Sequence, residues 1–192
     1  MKKILLIDGH PQSDSFISSL CDRYFESAKA GGYEIKRLNV RDLVFDPNLK
    51  FGYKEIQQLE PDLIASQQLV LWCDHLVFAY PMWWGAMPAL TKGYFDRSWL
   101  PGFAFKFQNS SPFWDKLLKG RSARILVTCD APTIFNLFAY FNSPYTVTKK
   151  MIFAFCGFKP IRSTHIGGVK GMSEVKRKMW LNKMSELGSA GG

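Results

Sequence analysis

The chain opens on a consecutive apolar run, Lys3-Ile4-Leu5-Leu6-Ile7-Asp8. A half-exposed strand would alternate, so an unbroken run of this length predicts a strand buried on both faces. Phe16, Ile17, Leu20, Cys21, Tyr24 and Ala28 then recur at helical spacing, with Asp14 or Ser15 as N-cap and Gly31-Gly32 as the stop. Tyr33 to Val40 alternates and predicts a second strand, and a strand-helix-strand opening requires the two strands to run parallel. The same periodicities predict a helix over Leu63 to Leu71, a third strand over His75 to Tyr80 ended by Pro81, and a helix from Pro88 to Ser98. They continue with a fourth strand over Ala123 to Thr128, a helical stretch including Val147 to Phe155, and a fifth strand over Lys159 to His165. The last helix carries Val175, Met179, Trp180, Met184 and Leu187 on one side and lysines on the other. Residues 41–60 and 99–107 are aromatic and irregular.

Five strands alternating with helices predict an α/β fold: a three-layer, doubly wound, five-stranded parallel sheet of strand order 2-1-3-4-5, the flavodoxin-like arrangement. Residues 1–188 are expected to form a single domain, and 189–192 a disordered tail. Sheets of this kind bind ligands at the carboxyl ends of their strands. Three loops would meet there: Gly9 to Ser15, Pro81 to Met87, and Cys129 to Thr133.

The 192 residues include Lys+Arg 25 against Asp+Glu 16, a formal charge of +9. That charge favours an anionic partner. The basic residues are scattered rather than gathered on one face, which ranks a phosphorylated small ligand above a nucleic acid. No apolar run approaches the ~20 residues needed to cross a bilayer, and the first strand is not followed by a cleavage-site pattern. A cytoplasmic protein without membrane insertion is expected. The four cysteines form no Cys-x-x-Cys pair and there are only three histidines, so no metal site is expected.

The chemistry predicted for the three loops follows from their residue types. The first offers His10, the Ser15 hydroxyl and the unpaired amides of a helix start, which suit a phosphate; simple capping by Ser15 explains the serine equally well. The second places Trp83 and Trp84 in a turn bounded by Pro81, Gly85 and Pro88. A single indole there would read as packing, but two adjacent ones past a strand end offer a surface for a flat heterocycle. The third supplies Thr128 and the amides after it for the polar edge of such a ring. Phosphate at one loop and a planar ring at the next two is the layout of a flavin nucleotide.

These residues also carry a resemblance. Gly9-His10-Pro11 with Ser15-Phe16, the block from Tyr80 to Arg97, Gly102-Phe103-Ala104-Phe105, and Phe155-Cys156-Gly157-Phe158 resemble the NAD(P)H:quinone oxidoreductase family of flavodoxin-like proteins. The resemblance spans most of the chain, and Pro81 to Arg97 is its most specific part. It implies a homodimeric flavoenzyme that takes hydride from NAD(P)H and passes two electrons to a quinone by a ping-pong route. By position it implies His10, Ser15, Phe16 and Ile17 at the flavin phosphates and ribityl chain, and Pro81, Met82, Trp83, Trp84 and Gly85 at the isoalloxazine. Thr128, Cys129 and Asp130 fall at its pyrimidine side. Gln67 matches a glutamine near the adenine end, which favours FAD over FMN, and Lys176 or Arg177 would neutralise a diphosphate. Phe103, Phe105, Tyr140 and Tyr145 are candidate substrate-pocket walls, though core or dimer packing explains such rings as well. The family's two threonines and two glycines are replaced here by Thr128-Cys129-Asp130-Ala131, and its proton-relay tyrosine and histidine have no counterpart in register. No catalytic acid is therefore assigned. Two other readings fit the fold: a regulatory subunit docked on a membrane transporter, and a one-electron carrier.

Overall fold

The computed structural model describes residues 1–108 and 111–192, with the side chains of residues 136, 137, 139 and 140 outside the description. In chain order the elements are β1 Lys3–Asp8, α1 Phe16–Ala30, β2 Glu34–Asn39, α2 Pro61–Trp72, β3 His75–Pro81, α3 Ala89–Ser98, β4 Phe105–Phe107 and β5 Trp114–Lys116. They continue with β6 Ser122–Thr128, α4 Thr133–Tyr140, α5 Ser143–Thr146, a π-helical stretch Val147–Ala154, β7 Ile161–Ile166 and α6 Glu174–Ser189. The main sheet is parallel throughout in the order β2-β1-β3-β6-β7, which is the expected 2-1-3-4-5 once the short hairpin β4/β5 is set aside.

Each face of the sheet buries its own apolar cluster. One face packs Ile4, Leu6, Val77 and Ala79 against Ile17, Tyr24 and Ala28 of α1 and Met184 of α6. The other packs Leu5, Ile7, Leu76 and Phe78 against Leu63 and Val70 of α2, Tyr94 and Phe95 of α3, and Phe153 of the π-helical stretch. Strands β1 and β3 are thus buried on both sides, which is why their sequences run rather than alternate.

The irregular stretch after β2 is held down by Arg97. Its guanidinium is fully buried and donates to the carbonyls of Asp46 and Gln58 and to both carboxylate oxygens of Glu60. Next to it, Gly93 meets Pro47 so closely that a Cβ would lie 2.6 Å from the Pro47 carbonyl oxygen. A side chain at position 93 would push the excursion off α3.

The segment 99–107 is irregular as expected apart from β4, whose three residues pair with β5 beyond it. Two expectations give way. In α6, Val175 and Met179 are exposed at 78% and 53%, because the helix packs through Met184 and Gly188 instead. The expected disordered tail is held: α6 runs to Ser189, Gly191 is buried against the Tyr33 ring, and its carbonyl accepts from Lys2 Nζ.

A buried imidazole, His75, and a half-buried one, His165, make stability depend on pH. Burial, then the charges of Lys2, Arg124 and Arg162, push His75 down to about 3, and burial with Lys149 pushes His165 down to about 4. Both bind a proton less well folded than unfolded, so the unfolded chain takes protons first once pH falls below ~6.5. Stability is therefore full above that pH and is lost as pH falls towards 4 and then 3, at about 1.4 kcal/mol per pH unit for each group. Urea unfolding from pH 7.5 down to 5 checks this. The expected result is a midpoint that falls with acidification, and a shallower fall in His75→Phe; a flat profile contradicts the burial.

Candidate functional site

The carboxyl ends of β1, β3 and β6 lead into three loops that meet at one edge of the sheet. A narrow cleft of about 140 Å³ lies between them, lined by His10, Ser15, Phe16, Ile17, Pro81, Met82, Trp83, Thr128, Cys129, Asp130 and Val169. It shares Met82, Cys129 and Asp130 with a broader mouth of about 640 Å³ that adds Trp84, Gly85, Ala131, Phe135 and the segment Ser143, Pro144 and Val147.

The first loop is built on a buried carboxylate. Asp8 ends β1 fully buried, with Oδ1 accepting from the His10 N–H (3.0 Å) and Oδ2 from Ser18 Oγ (2.7 Å), Arg41 Nη1 (2.9 Å) and Arg37 Nη2 (3.0 Å). Burial alone would raise its pKa, but the hydrogen bonds from Arg41, His10 and Ser18 and the Arg41 charge outweigh it and hold the carboxyl below its ordinary range. Asp8 is thus ionised, and since Arg37 also pairs with Asp22 and Arg41 Nε lies 3.8 Å from Asp42, the two guanidiniums beneath the loop are matched by acids.

Hydrogen-bond direction then runs outward from Asp8. Ser18 donates to Asp8, Ser15 Oγ donates to Ser18 Oγ (2.9 Å), and Ser15 Oγ accepts the Ser18 N–H (3.1 Å) as the N-cap of α1. The Ser15 proton is committed inward. The amides of Phe16 and Ile17, in the first turn, have no acceptor among the described residues, and they are the donors a helix start presents to an anion. His10 Nδ1 lies within hydrogen-bond distance of both the Gln12 N–H (2.9 Å) and the Gln12 carbonyl (3.0 Å), which fixes the ring over its own loop. Burial, with the Arg41 charge, lowers the His10 pKa and favours the neutral form. Gly9 is required here: a Cβ would lie 2.8 Å from Thr91 Cγ2 and 3.0 Å from the Ala79 carbonyl.

The second loop is a tight reversal. Trp83 N–H donates to the Ala86 carbonyl (2.8 Å) and Ala86 N–H to that of Trp83 (3.0 Å), with Trp84 at φ 53° and Gly85 at φ 72°. Positive φ at both central residues is the type I′ geometry, which glycine takes freely and tryptophan takes at a cost. The turn leaves Trp84 fully exposed and Trp83 46% exposed, with the Trp83 ring edge-on to His10 at 5.8 Å. Two indoles open to solvent at the rim of a cleft are not core packing.

In the third loop, Cys129 N–H is spent on the Ile166 carbonyl (2.9 Å), so the amides after it that remain are those of Asp130 and Ala131. Asp130 Oδ1 accepts from the Lys170 N–H (3.0 Å), tying this loop to the glycine-rich turn after β7. Cys129 Sγ lies 3.8 Å from Tyr145 Oη, and the Tyr145 ring stacks on His165 with centroids 3.5 Å apart.

The structure therefore gathers His10, Ser15, Phe16, Ile17, Pro81, Met82, Trp83, Trp84, Gly85, Thr128, Cys129 and Asp130 around one cleft and mouth. It does not bring Gln67 there: Gln67 Nε2 donates to the Ser98 carbonyl (2.7 Å) and ties α2 to α3. Phe103 and Phe105 are also elsewhere. Phe105 packs edge-on to Phe107 and Phe155 at 5.2 and 5.0 Å and lines a separate apolar groove of about 580 Å³, while Phe103 packs on the core. Both are drawn away because the chain turns into the β4/β5 hairpin. Tyr145 lies buried beneath the mouth rather than in its wall, and the Tyr140 side chain falls outside the described residues. Arg177 lies over the Phe16 ring at 4.8 Å, whereas Lys176 lines a neighbouring hollow with Gly167, Gly168 and Ser173. Sequence reasoning missed Val169, Asp8 and Arg41; only the polar end of an otherwise apolar first strand signalled Asp8.

Known proteins match this arrangement over most of their length. A Haemophilus influenzae protein named as an uncharacterized NAD(P)H oxidoreductase is 25% identical over 187 residues, covering 91% of this chain and 88% of its own. The mouse ribosyldihydronicotinamide dehydrogenase [quinone] is 26% identical over 209 residues, covering 94% and 87%. Among solved structures, Smu.1420 from Streptococcus mutans UA159 superposes with a TM-score of 0.83 at 26% identity, over 98% of this chain and 99% of that one. The model of the flavodoxin-like fold family matches residues 2–186, and this chain belongs to that family, among relatives named for NAD(P)H and quinone chemistry.

Proposed function

We propose that the protein is a flavin-dependent NAD(P)H:quinone oxidoreductase that works by a ping-pong route, the nicotinamide leaving before the acceptor enters. The observation that carries this reading is the convergence, in one cleft, of unpaired helix-start amides at Phe16 and Ile17 with the exposed indole of Trp83. The residues present fit a flavin nucleotide. A bound flavin supplies the hydride acceptance and two-electron donation that no side chain can.

The chain's own contribution is binding and orientation. The Phe16 and Ile17 amides receive the phosphate, with the His10 ring beside them. Trp83 and Met82 bound the ring, and the amides of Asp130 and Ala131 are placed for its polar edge. The broader mouth, walled by Trp84, Phe135 and Pro144, takes the nicotinamide and the acceptor in turn. With Gln67 committed to Ser98, nothing in the cleft itself prefers FAD, and FMN fits the described contacts equally. A homodimer agrees with the exposed rings of Phe107 and Phe113 and with Val147 and Met151, which a second copy would cover.

Purified protein should be yellow and should bleach anaerobically on adding NADH or NADPH, with colour returning on adding a quinone. Trp83→Ala should weaken flavin binding about tenfold, the scale of one aromatic contact plus its buried area. A yellow protein that neither nicotinamide bleaches would point to an electron carrier, and protein that takes up neither FAD nor FMN to a binding module.

A further inference from the structure

The opposite edge of the sheet, where the strands begin, collects cations that make no ion pair among the described residues. In register, His75 pairs with Ile4 and Ser122, Val77 with Arg124, and Arg124 with Arg162. Residues two apart on a strand share a face, so His75, Arg124 and Arg162 lie on one face of the sheet. It is the face covered by α1 and α6, where Val77 and Tyr24 share an apolar cluster. Among the described residues, Lys2, Arg124 and Arg162 make no ion pair. The acid acting on Lys2 is Asp74, whose Oδ2 already accepts from the Lys3 N–H at 2.8 Å.

Three buried polar atoms here have no hydrogen-bond partner among the described residues: Tyr24 Oη, His75 Nε2 and Arg124 Nε, on residues 1%, 2% and 7% exposed. Their other atoms are placed, Arg124 Nη1 on Thr164 Oγ1 at 2.9 Å and His75 Nδ1 beside Ser122 Oγ at 2.8 Å, so the side chains are fixed and the orphaned atoms remain. The groups feel one another: burial and then Arg162 lower the Arg124 pKa, while burial and then Lys2, Arg124 and Arg162 lower that of His75.

A helix C-terminus attracts cations, and both α1 and α6 end at this edge. That accounts for Lys2, whose ammonium donates to the Gly191 carbonyl. It does not account for Arg124, a buried guanidinium whose hydrogen-bond partner is a neutral hydroxyl and which makes no ion pair among the described residues. Such a charge is retained at a cost of several kcal/mol unless an anion joins it.

We propose that this edge binds a small tetrahedral oxyanion, with Arg124 and Arg162 as its charged donors, Lys2 as a third, and Tyr24 Oη and His75 as the remaining hydrogen-bond partners. Gly192 lies beside Arg162 Nη1 and Lys2 Nζ, so the last residues border the site. The shared chemistry is that of phosphate and sulfate, whether free or carried on a larger molecule. The site is independent of the cofactor cleft, and its failure would leave that reading untouched.

The test is thermal melting and calorimetric titration of the purified protein with sodium phosphate, sodium sulfate and AMP, against sodium chloride at matched ionic strength. Phosphate is expected to raise the melting temperature beyond chloride. Arg162→Gln, an exposed position that does not threaten the core, should weaken phosphate binding about tenfold, the scale of one charge-assisted contact. Arg124→Gln should abolish it, and phosphate should raise the apparent pKa of the His75 ring followed by NMR. Tighter binding of AMP than of phosphate identifies a ligand-borne phosphate; equal or weaker binding identifies the free ion. The proposal is overturned if phosphate does no more than chloride, or if Arg162→Gln responds as the unmodified protein does, since binding would then belong to the cofactor cleft or to general salt effects.

Discussion

Arg97→Leu should destabilise the protein by about 3 kcal/mol, read as a drop in the urea midpoint with the slope unchanged. Removing one member of a buried ion pair costs ~3–5 kcal/mol because the other charge is stranded. The lower end applies because Glu60 keeps 28% side-chain exposure and can recover some hydration. The remaining loss comes from the Asp46 and Gln58 carbonyls, which accept from Arg97 on α3. Glu60→Gln should cost less, since an amide oxygen still accepts from the guanidinium. Neither change touches the cleft, so cofactor content per folded molecule should stay constant. An unfolding free energy within about 0.5 kcal/mol of the unmodified protein's would mean that the excursion is not anchored through Arg97.

Asp8→Ala should act on both stability and the cofactor. The carboxylate is fully buried and pairs with both Arg37 and Arg41; Asp22 still holds Arg37 and Asp42 still lies beside Arg41, so its removal should cost about 3 kcal/mol, the lower end for a buried ion pair. It also removes the acceptor that orients the His10 N–H and the Ser18 hydroxyl, and with it the order of the phosphate loop. Flavin affinity should fall by more than the about tenfold expected for Trp83→Ala, even though a negative charge has been taken away from an anion site. Asp8→Asn keeps one acceptor oxygen and the side-chain shape, and should retain more affinity than alanine. Flavin titration by fluorescence quenching decides the order. If Asp8→Ala binds flavin more tightly, simple charge repulsion dominates and the orienting role assigned to Asp8 is wrong.

These two residues also mark where sequence reading stopped. Strands buried on both faces announce themselves as unbroken apolar runs, and a β-loop-α-β opening leaves few topologies, so the sheet and its ligand edge were legible. The loops that form the cleft were legible for the same reason: each simply follows a strand. Asp8 and Arg41 meet across 33 positions of chain, and no local pattern reports such a contact. Gln67 was misplaced because a match in alignment fixes a position on a helix but not the neighbour its amide will find. Phe103 and Phe105 were misplaced because three-residue strands leave no periodic trace. Val175 and Met179 show the limit of periodicity itself: they fall on a helical stripe, yet α6 turns Met184 and Gly188 to α1, so close that a Cβ on Gly188 would lie 2.4 Å from the Tyr24 carbonyl.

One planar cofactor should lie beside Trp83 with its phosphate at the start of α1, and a crystal structure of the protein loaded with FMN or FAD tests this. The isoalloxazine is expected between the Met82-Trp83 segment and the Asp130-Ala131 amides, with phosphate oxygens hydrogen-bonded to the Phe16 and Ile17 amides. A flavin bound elsewhere, or a phosphate on Ser15 with those two amides left unpaired, would contradict it.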